Sequence, residues 1–583
     1  MSEPTGAVDI PMRFSSRAPI GLDGRKGGPA DWIVLFACFT GGCWMSHPGW
    51  IEPDGDARDA VHDGGADADA DVDSGADADS DADAETDSDG DSDAADDAAA
   101  EDVGPPLPCD SLAADLVVPD DFLTIQEAID AAVDGQLICV EPGLYVGRID
   151  FLGKRIHVVG FAGPDVTTIE PDGAGAVVRF VTGETAETIF EGFTVRGGHP
   201  SFLGLDGGGI LVGSASPTLR NLTIRENRSR NSGGGVALGN SSATLVGLEI
   251  SNNESTGAGG GLSAGAGGSP TLTDVRVVGN ESFGDGGGGL YFDRDTSPTL
   301  IRVRVIGNES FGDGGGMEAS AAVCRLTNVV IAGNRARNEG GGIKLDEAAS
   351  YLDHVRIVDN QSNHAGGIAI TDSGWNEVRL TNVVIAGNHA EGASGGMNVN
   401  NSEVVLENVV IVGNACSGRS GGGIRNHENL ALTMTNVVVA GNRSDLGGAV
   451  ASERSYDPVI SNCAFWDNGF GPFDGLADPT GHDGNISVDP LFLDLSGTDP
   501  LLWDLHLQVA SPLIHAGSAG LSDPDGAPSS IGAYGGLGGG AWDLDGDAAA
   551  EWWQAGAYDP GAYPAAGWDC DDRDPAVHPG SGC

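Results

Sequence analysis

The densest chemistry in this chain is a set of seven aspartates near its C-terminus: Asp543, Asp545 and Asp547, then Asp569, Asp571, Asp572 and Asp574. Carboxylates at alternate positions gather around one point when the backbone turns. That is the donor set of a hard cation such as calcium, which takes roughly six to eight oxygens. The spacing is not that of an EF-hand loop. Counted from Asp543, the sixth position is Ala548 and the twelfth is Gln554, where such a loop needs Gly and Glu. A second set lies mid-chain: Asp346, Asp353, Arg356 and Asp359, with His354, His364 and His389. Acid–base catalysis needs paired carboxylates in opposed environments. The spacing of these residues gathers no such pair in one column, so no catalytic residue is assigned from sequence.

The elements that must position these groups are set by a repeat. Asparagine returns every 26 to 28 residues, at Asn227, Asn253, Asn280, Asn308, Asn334, Asn360, Asn388, Asn414, Asn442 and Asn468. Paired glycines follow with the same beat, from Gly234-Gly235 to Gly447-Gly448. The run Leu326–Asn334 (LTNVVIAGN) recurs verbatim at Leu380–Asn388. Period-two alternation rich in Val and Ile argues for short strands, and the chain's 94 glycines disfavour helix. One such coil cannot bury its own apolar side; the next coil, stacked about 4.8 Å away, does so. The expected fold is therefore all-β, a parallel β-helix. Asn suits the turns because it tolerates the left-handed conformation and bonds nearby backbone. Stacked from coil to coil, these side chains form an expected amide ladder. Six of them also match an Asn-x-Ser acceptor pattern, as at Asn280 and Ser282, and are read as turn residues because the match recurs with the coil.

The Gly-Gly-[Gly/Ala]-[Ile/Leu/Val] element, alternating with an apolar-x-x-Asn element, resembles the repeat of right-handed β-helix proteins of the pectate-lyase-like superfamily. It is most similar to polymorphic outer-membrane protein repeats. Gly447-Gly448-Ala449-Val450 and Phe465-Trp466-Asp467-Asn468 match that pair strictly, whereas Ile or Val usually replaces Phe in the other coils. The run from Thr124 to Gly135 reads as a short amphipathic helix with a Thr124–Glu127 capping box. It resembles the N-terminal cap of pectate lyases and pectin methylesterases. The segments from Asn485 to Phe492 and Ser511 to Gly536 look like the closing region of bacterial secreted β-helix proteins, with His515 where Asp is usual. The C-terminal aspartates resemble the metal-binding repeat of such proteins, which implies calcium; Ala548 departs from that pattern.

A net charge of −57, from 86 acidic and 29 basic residues, argues against a nucleic-acid or anionic-membrane partner. Residues 52–103 hold 22 acidic residues and one Arg, so the expected linker is disordered and extended. Ahead of it, Arg25 and Lys26 precede the apolar run from Trp32 to Phe39, the grammar of a secretory leader. Thr40-Gly41-Gly42-Cys43 resembles a bacterial lipobox, with Cys43 the candidate lipid-bearing residue. Cys38 is a second candidate, and a plain cleaved signal peptide is the alternative. Of nine cysteines, Cys109 and Cys139 are one candidate pair at the N-terminal cap, and Cys570 and Cys583 another in the tail.

The expected organisation is a leader over 1–43, an acidic linker over 44–108, a β-helix over 109–540 and an acidic tail over 541–583. The expected role is adhesion or polysaccharide binding at an outer surface, with polysaccharide or cell-surface glycan as partner and the membrane reached only through a lipid anchor. A polysaccharide lyase or hydrolase is the alternative. It would show as a cleft bearing Arg or Lys near carboxylates across adjacent coils. A structural surface protein stands third.

Overall fold

Alternating Val, Ile and Leu make each run a short strand, and the repeat lays each strand on its equivalent one coil away. The computed structural model describes residues 109–199, 208–265, 267–418, 420–469 and 471–539, with the backbone of 550–551 and 568–569. Cys43, the leader and the acidic linker lie outside these residues. So do Asp543, Asp545, Asp547, Asp571, Asp572 and Asp574; Asp569 is described in backbone only.

Each coil presents three faces. In one coil they are Val236–Gly239, Thr244–Val246 and Glu249–Ser251. The two-residue strand Glu254–Ser255 then joins a separate eight-stranded sheet, the fourth. Along the second face Leu219, Leu245, Leu272, Leu300 and Leu326 are register partners, none more than 1% exposed. Along the third face Ile224, Ile250, Val277, Val305 and Ile331 stack in the same way. Burial of each such side chain contributes roughly 1.5–3 kcal/mol. A coil obtains that only from its neighbours, which is why the repeat is the unit of stability.

Helix α1 (Ile125–Ala131) precedes the first coils, and its Ile125, Ala128 and Ile129 are buried in the core they share. Thr124 accepts from the Glu127 amide, and the Glu127 carboxylate accepts from the Thr124 amide. Cys109 and Cys139 form a disulfide beside it. Phe151, Phe180, Phe190 and Phe193 fill the first coils, with stacked pairs 4.4 and 4.7 Å apart.

The ten repeat asparagines form a continuous ladder. Each Nδ2 donates to the Oδ1 of the next, at 2.9 to 3.0 Å through all nine steps. Their left-handed residue is not the asparagine itself, as turn chemistry suggests. It lies one position earlier, for instance at Asn252, Asp359 and Gly387, which leaves the ladder side chain pointing inward. The serines of the Asn-x-Ser matches, such as Ser255 and Ser282, are buried beside the ladder. Gly235 follows from the same close packing: a Cβ there would fall 2.7 Å from the Gly261 carbonyl.

A second set of left-handed corners joins the second and third faces, at Asn328, His354, Asn382, Asn408 and Asn436 among others. Here the chain folds back on itself. Ile486 bonds to the coil of Cys463 and Phe465. The segment then returns along the third face, with Gly532 at Asn436, Gly535 at Asn408 and Asn382, and Gly538 at His354. This strap covers an apolar stripe. The outward row of the third face begins Thr223, Glu249, Arg276, Arg304 and continues Val330, Arg356, Val384, Val410, Val438, Ala464. Leu505, Leu513 and Ile531 of the strap pack on that apolar half and are at most 1% exposed.

Candidate functional site

The mid-chain residues singled out for acid–base chemistry do not converge. Arg356 sits in the row beneath the strap, 6% exposed, with Nη2 donating to the carbonyls of Leu501 at 3.3 Å and Trp503 at 3.5 Å. His354 occupies a buried corner, bonded to the Gly538 carbonyl and 2.9 Å from Asp353. Asp346 belongs to the first face, where it accepts from Thr371 at 2.7 Å. His364 accepts from the Ala393 amide at 3.2 Å. Arg356 and His354 hold the strap; neither meets an open surface.

The structure assembles a different group on the outer side of the first face. Tyr291, Glu318, Lys344, Ala369, Asn398 and Arg425 are consecutive register partners there. Beside them runs a second row, Ser320, Asp346, Thr371, Asn400, His427 and Glu453. At the centre Glu318 is 8% exposed and Lys344 6%. Lys344 Nζ pairs with Glu339. Glu318 Oε2 is buried and has no hydrogen-bond partner. Burial, aided by the nearby Asp313 carboxylate, pushes the Glu318 carboxyl up to about 8. Asp313, which accepts from the Glu339 amide at 3.0 Å, is raised in the same direction, again chiefly by burial. Burial also pushes the Tyr291 phenol up to about 12.

Sequence reasoning missed this cluster, although a signal existed. Period-two alternation sends the residue after Met317 or Ile343 outward, and the repeat places Glu318 and Lys344 in that position on successive coils. Their meeting depends on the register between coils.

Around the adjoining turn, the fourth sheet bears an open groove of about 420 Å³. Phe311, Arg335, Arg337, Gln361, Asn363 and Glu391 line it, together with Glu309. Phe311 stacks on Phe283 of the preceding coil at 5.0 Å, and the two rings are 40% and 47% exposed. Arg335 lies 3.9 Å from Glu309. The lining holds two arginines and two glutamates, so it carries no net formal charge. One turn, Phe311 to Gly316, links this groove to the Glu318 strand, and Asp313 sits within it. Among the described residues, no group of three or more His, Cys, Asp or Glu is placed to hold a metal ion.

A family model described as a right-handed β-helix region matches residues 208–404. The fold is a right-handed parallel β-helix. No curated protein matches the chain. Among solved structures, pectate lyase Pel9A is similar at 15% identity, covering 70% of this chain and 90% of that one, with a TM-score of 0.31. The catalytic domain of a GH87 α-1,3-glucanase is similar at 13% identity, over 61% and 68% of the two chains, with a TM-score of 0.28. The A-module of Azotobacter vinelandii mannuronan C-5 epimerase AlgE6 is similar at 16% identity, over 63% and 94%, with a TM-score of 0.24. These likenesses say nothing about what this chain acts on.

Proposed function

We propose that this protein is an exported β-helix that binds an uncharged polysaccharide in the groove of its fourth sheet. The observation that carries the reading is the exposed Phe283–Phe311 stack beside planar hydrogen-bonding side chains, Gln361 and Asn363. An aromatic face packs on the C–H side of a sugar ring, while amides and guanidinium groups bond its hydroxyls. The balance of charge in the lining favours a neutral sugar. An acidic one would meet two glutamates in a chain of net charge −57.

The groove also sets Arg335 and Arg337 near Glu309 and Glu391 across adjacent coils, the arrangement expected of a lyase or hydrolase, so cleavage is the second reading; Glu318, buried and unbonded at Oε2, lies outside the groove lining and supplies it no acid. Attachment through Cys43 on the acidic linker, and calcium held by Asp543, Asp545, Asp547, Asp569, Asp571, Asp572 and Asp574, complete the reading of a surface adhesion protein. The test is calorimetric titration of the full chain with neutral and acidic polysaccharides, with release of reducing ends and unsaturated sugars followed in parallel. Saturable binding of a neutral glycan that Phe311→Ala weakens supports the proposal. Binding indifferent to Phe311→Ala refutes the groove, and product release moves the protein to the lyase or hydrolase class.

A further inference from the structure

The buried carboxyl of Glu318 has no role in the groove as described, yet it is the least expected group in the fold. Unpaired charges are not kept in low-dielectric surroundings, and a carboxyl so placed rests neutral. Its surroundings are defined on every side. Asp285 and Tyr291 face it from the preceding coil, Asp313 from its own turn, and Lys344 and Asp346 from the following strand. Glu339 takes the Lys344 ammonium, so the nearest cation is already engaged. The preceding turn packs directly on the carboxyl: a Cβ built on Gly286 would fall 2.5 Å from Glu318 Oε2. That turn starts at Phe283, one half of the aromatic platform.

We propose that Glu318 is a proton-operated latch: neutral, it lets the Gly284–Gly289 turn close on it and hold Phe283 against Phe311; ionised, it expels the turn and dismantles the platform. The inference rests on the groove being the glycan site, but the latch itself is a property of the turn. Ionisation adds a fourth carboxylate to those of Asp285, Asp313 and Asp346 nearby, with no donor for Oε2. Opening the turn to water is the available relief. The carboxyl's raised range, about 8, puts the transition at mildly alkaline pH.

Two readouts test it on the full chain, one of them independent of any ligand. Amide hydrogen exchange over Gly286–Leu290 is compared between wild type and Glu318→Gln at matched pH, which cancels the intrinsic pH dependence of exchange. The latch predicts similar protection near pH 6 and at least about tenfold faster exchange in the wild type near pH 9.5. Titration with the bound neutral glycan should show wild-type affinity falling about tenfold or more over the same interval while Glu318→Gln stays flat. Lys344→Met, which removes a cation favouring ionisation, should move the wild-type midpoint upward, and it serves if Glu318→Gln folds poorly. Superimposable exchange profiles, or a midpoint that ignores Lys344→Met, overturn the latch. Latch-like exchange with no glycan bound at any pH leaves the latch standing and removes the groove as the binding site.

Discussion

Glu318 and Lys344 are register partners on neighbouring strands, yet the Lys344 ammonium turns away to Glu339 and leaves Glu318 Oε2 unbonded. A buried carboxyl beside an engaged lysine is held neutral by its surroundings, chiefly by burial and then by Asp313.

Stability should therefore depend on pH through Glu318. Its folded value lies above the ordinary 4.5, at about 8. The associated stability is fully present below the ordinary value and is lost as pH rises through about 8. The loss relative to Glu318→Gln is at most on the order of 5 kcal/mol, and less once the covering turn opens. Urea midpoints of the two proteins, measured from pH 4 to 9.5, should diverge with rising pH; parallel curves would count against a neutral buried Glu318.

The amide ladder should be costly to break in the middle. Asn334 accepts from the backbone and side chain of Asn308 and donates to Val305 and Asn360. Asn334→Ala strands several buried partners and should cost roughly 2–4 kcal/mol. Asn468, at the ladder's end, has no next amide to serve, so Asn468→Ala should cost less. Chemical denaturation of both variants checks the order.

The strap should detach before the solenoid unfolds. Leu513→Ala removes a fully buried side chain from the core it shares with Val384, Val410 and Val438. A loss of roughly 2–5 kcal/mol is expected. Limited proteolysis should then cut within 486–539 while the coils stay protected. Cleavage spread evenly over the coils would mean that strap and solenoid unfold together.

Phe311→Ala should weaken glycan binding about tenfold, the order of an aromatic contact, with little change in melting because the ring is exposed. Isothermal titration beside a thermal melt separates the two effects.

Reduction of the Cys109–Cys139 disulfide should loosen the entry, not the middle of the solenoid. The link closes a separation of 30 residues, for which loss of roughly 3–4 kcal/mol is expected. Hydrogen exchange with and without reductant should localise the change to α1 and the first coils.

How far the sequence reaches differs from residue to residue. Leu272 and Val277 face inward because of their own alternation and the glycine-bounded turns, so the winding is legible in any single repeat. The Thr124–Glu127 box is equally local: three residues of spacing bring both partners within reach. The strap was half legible. The closing segments were recognisable by resemblance, but Val383, Val384, Ile385 and Ala386 read as an alternating strand, and that both of its sides are buried emerges only with the returning segment in place.

Sequence alone determined the parallel stacking, the period, and which residues point inward, because these follow from short-range sterics repeated coil after coil; the right hand of the coil was implied only by the family resemblance. Tertiary structure decided what the outward residues meet. Nothing in the spacing of Arg356, Asp353 and Asp359 shows that the strap, some 145 residues later in the chain, is laid over the arginine and takes its guanidinium. Glu318 looks like one more surface acid until a glycine turn from the preceding coil closes on its carboxyl. Such encounters depend on register between coils and on the return path of the C-terminal segment, and no local pattern encodes either.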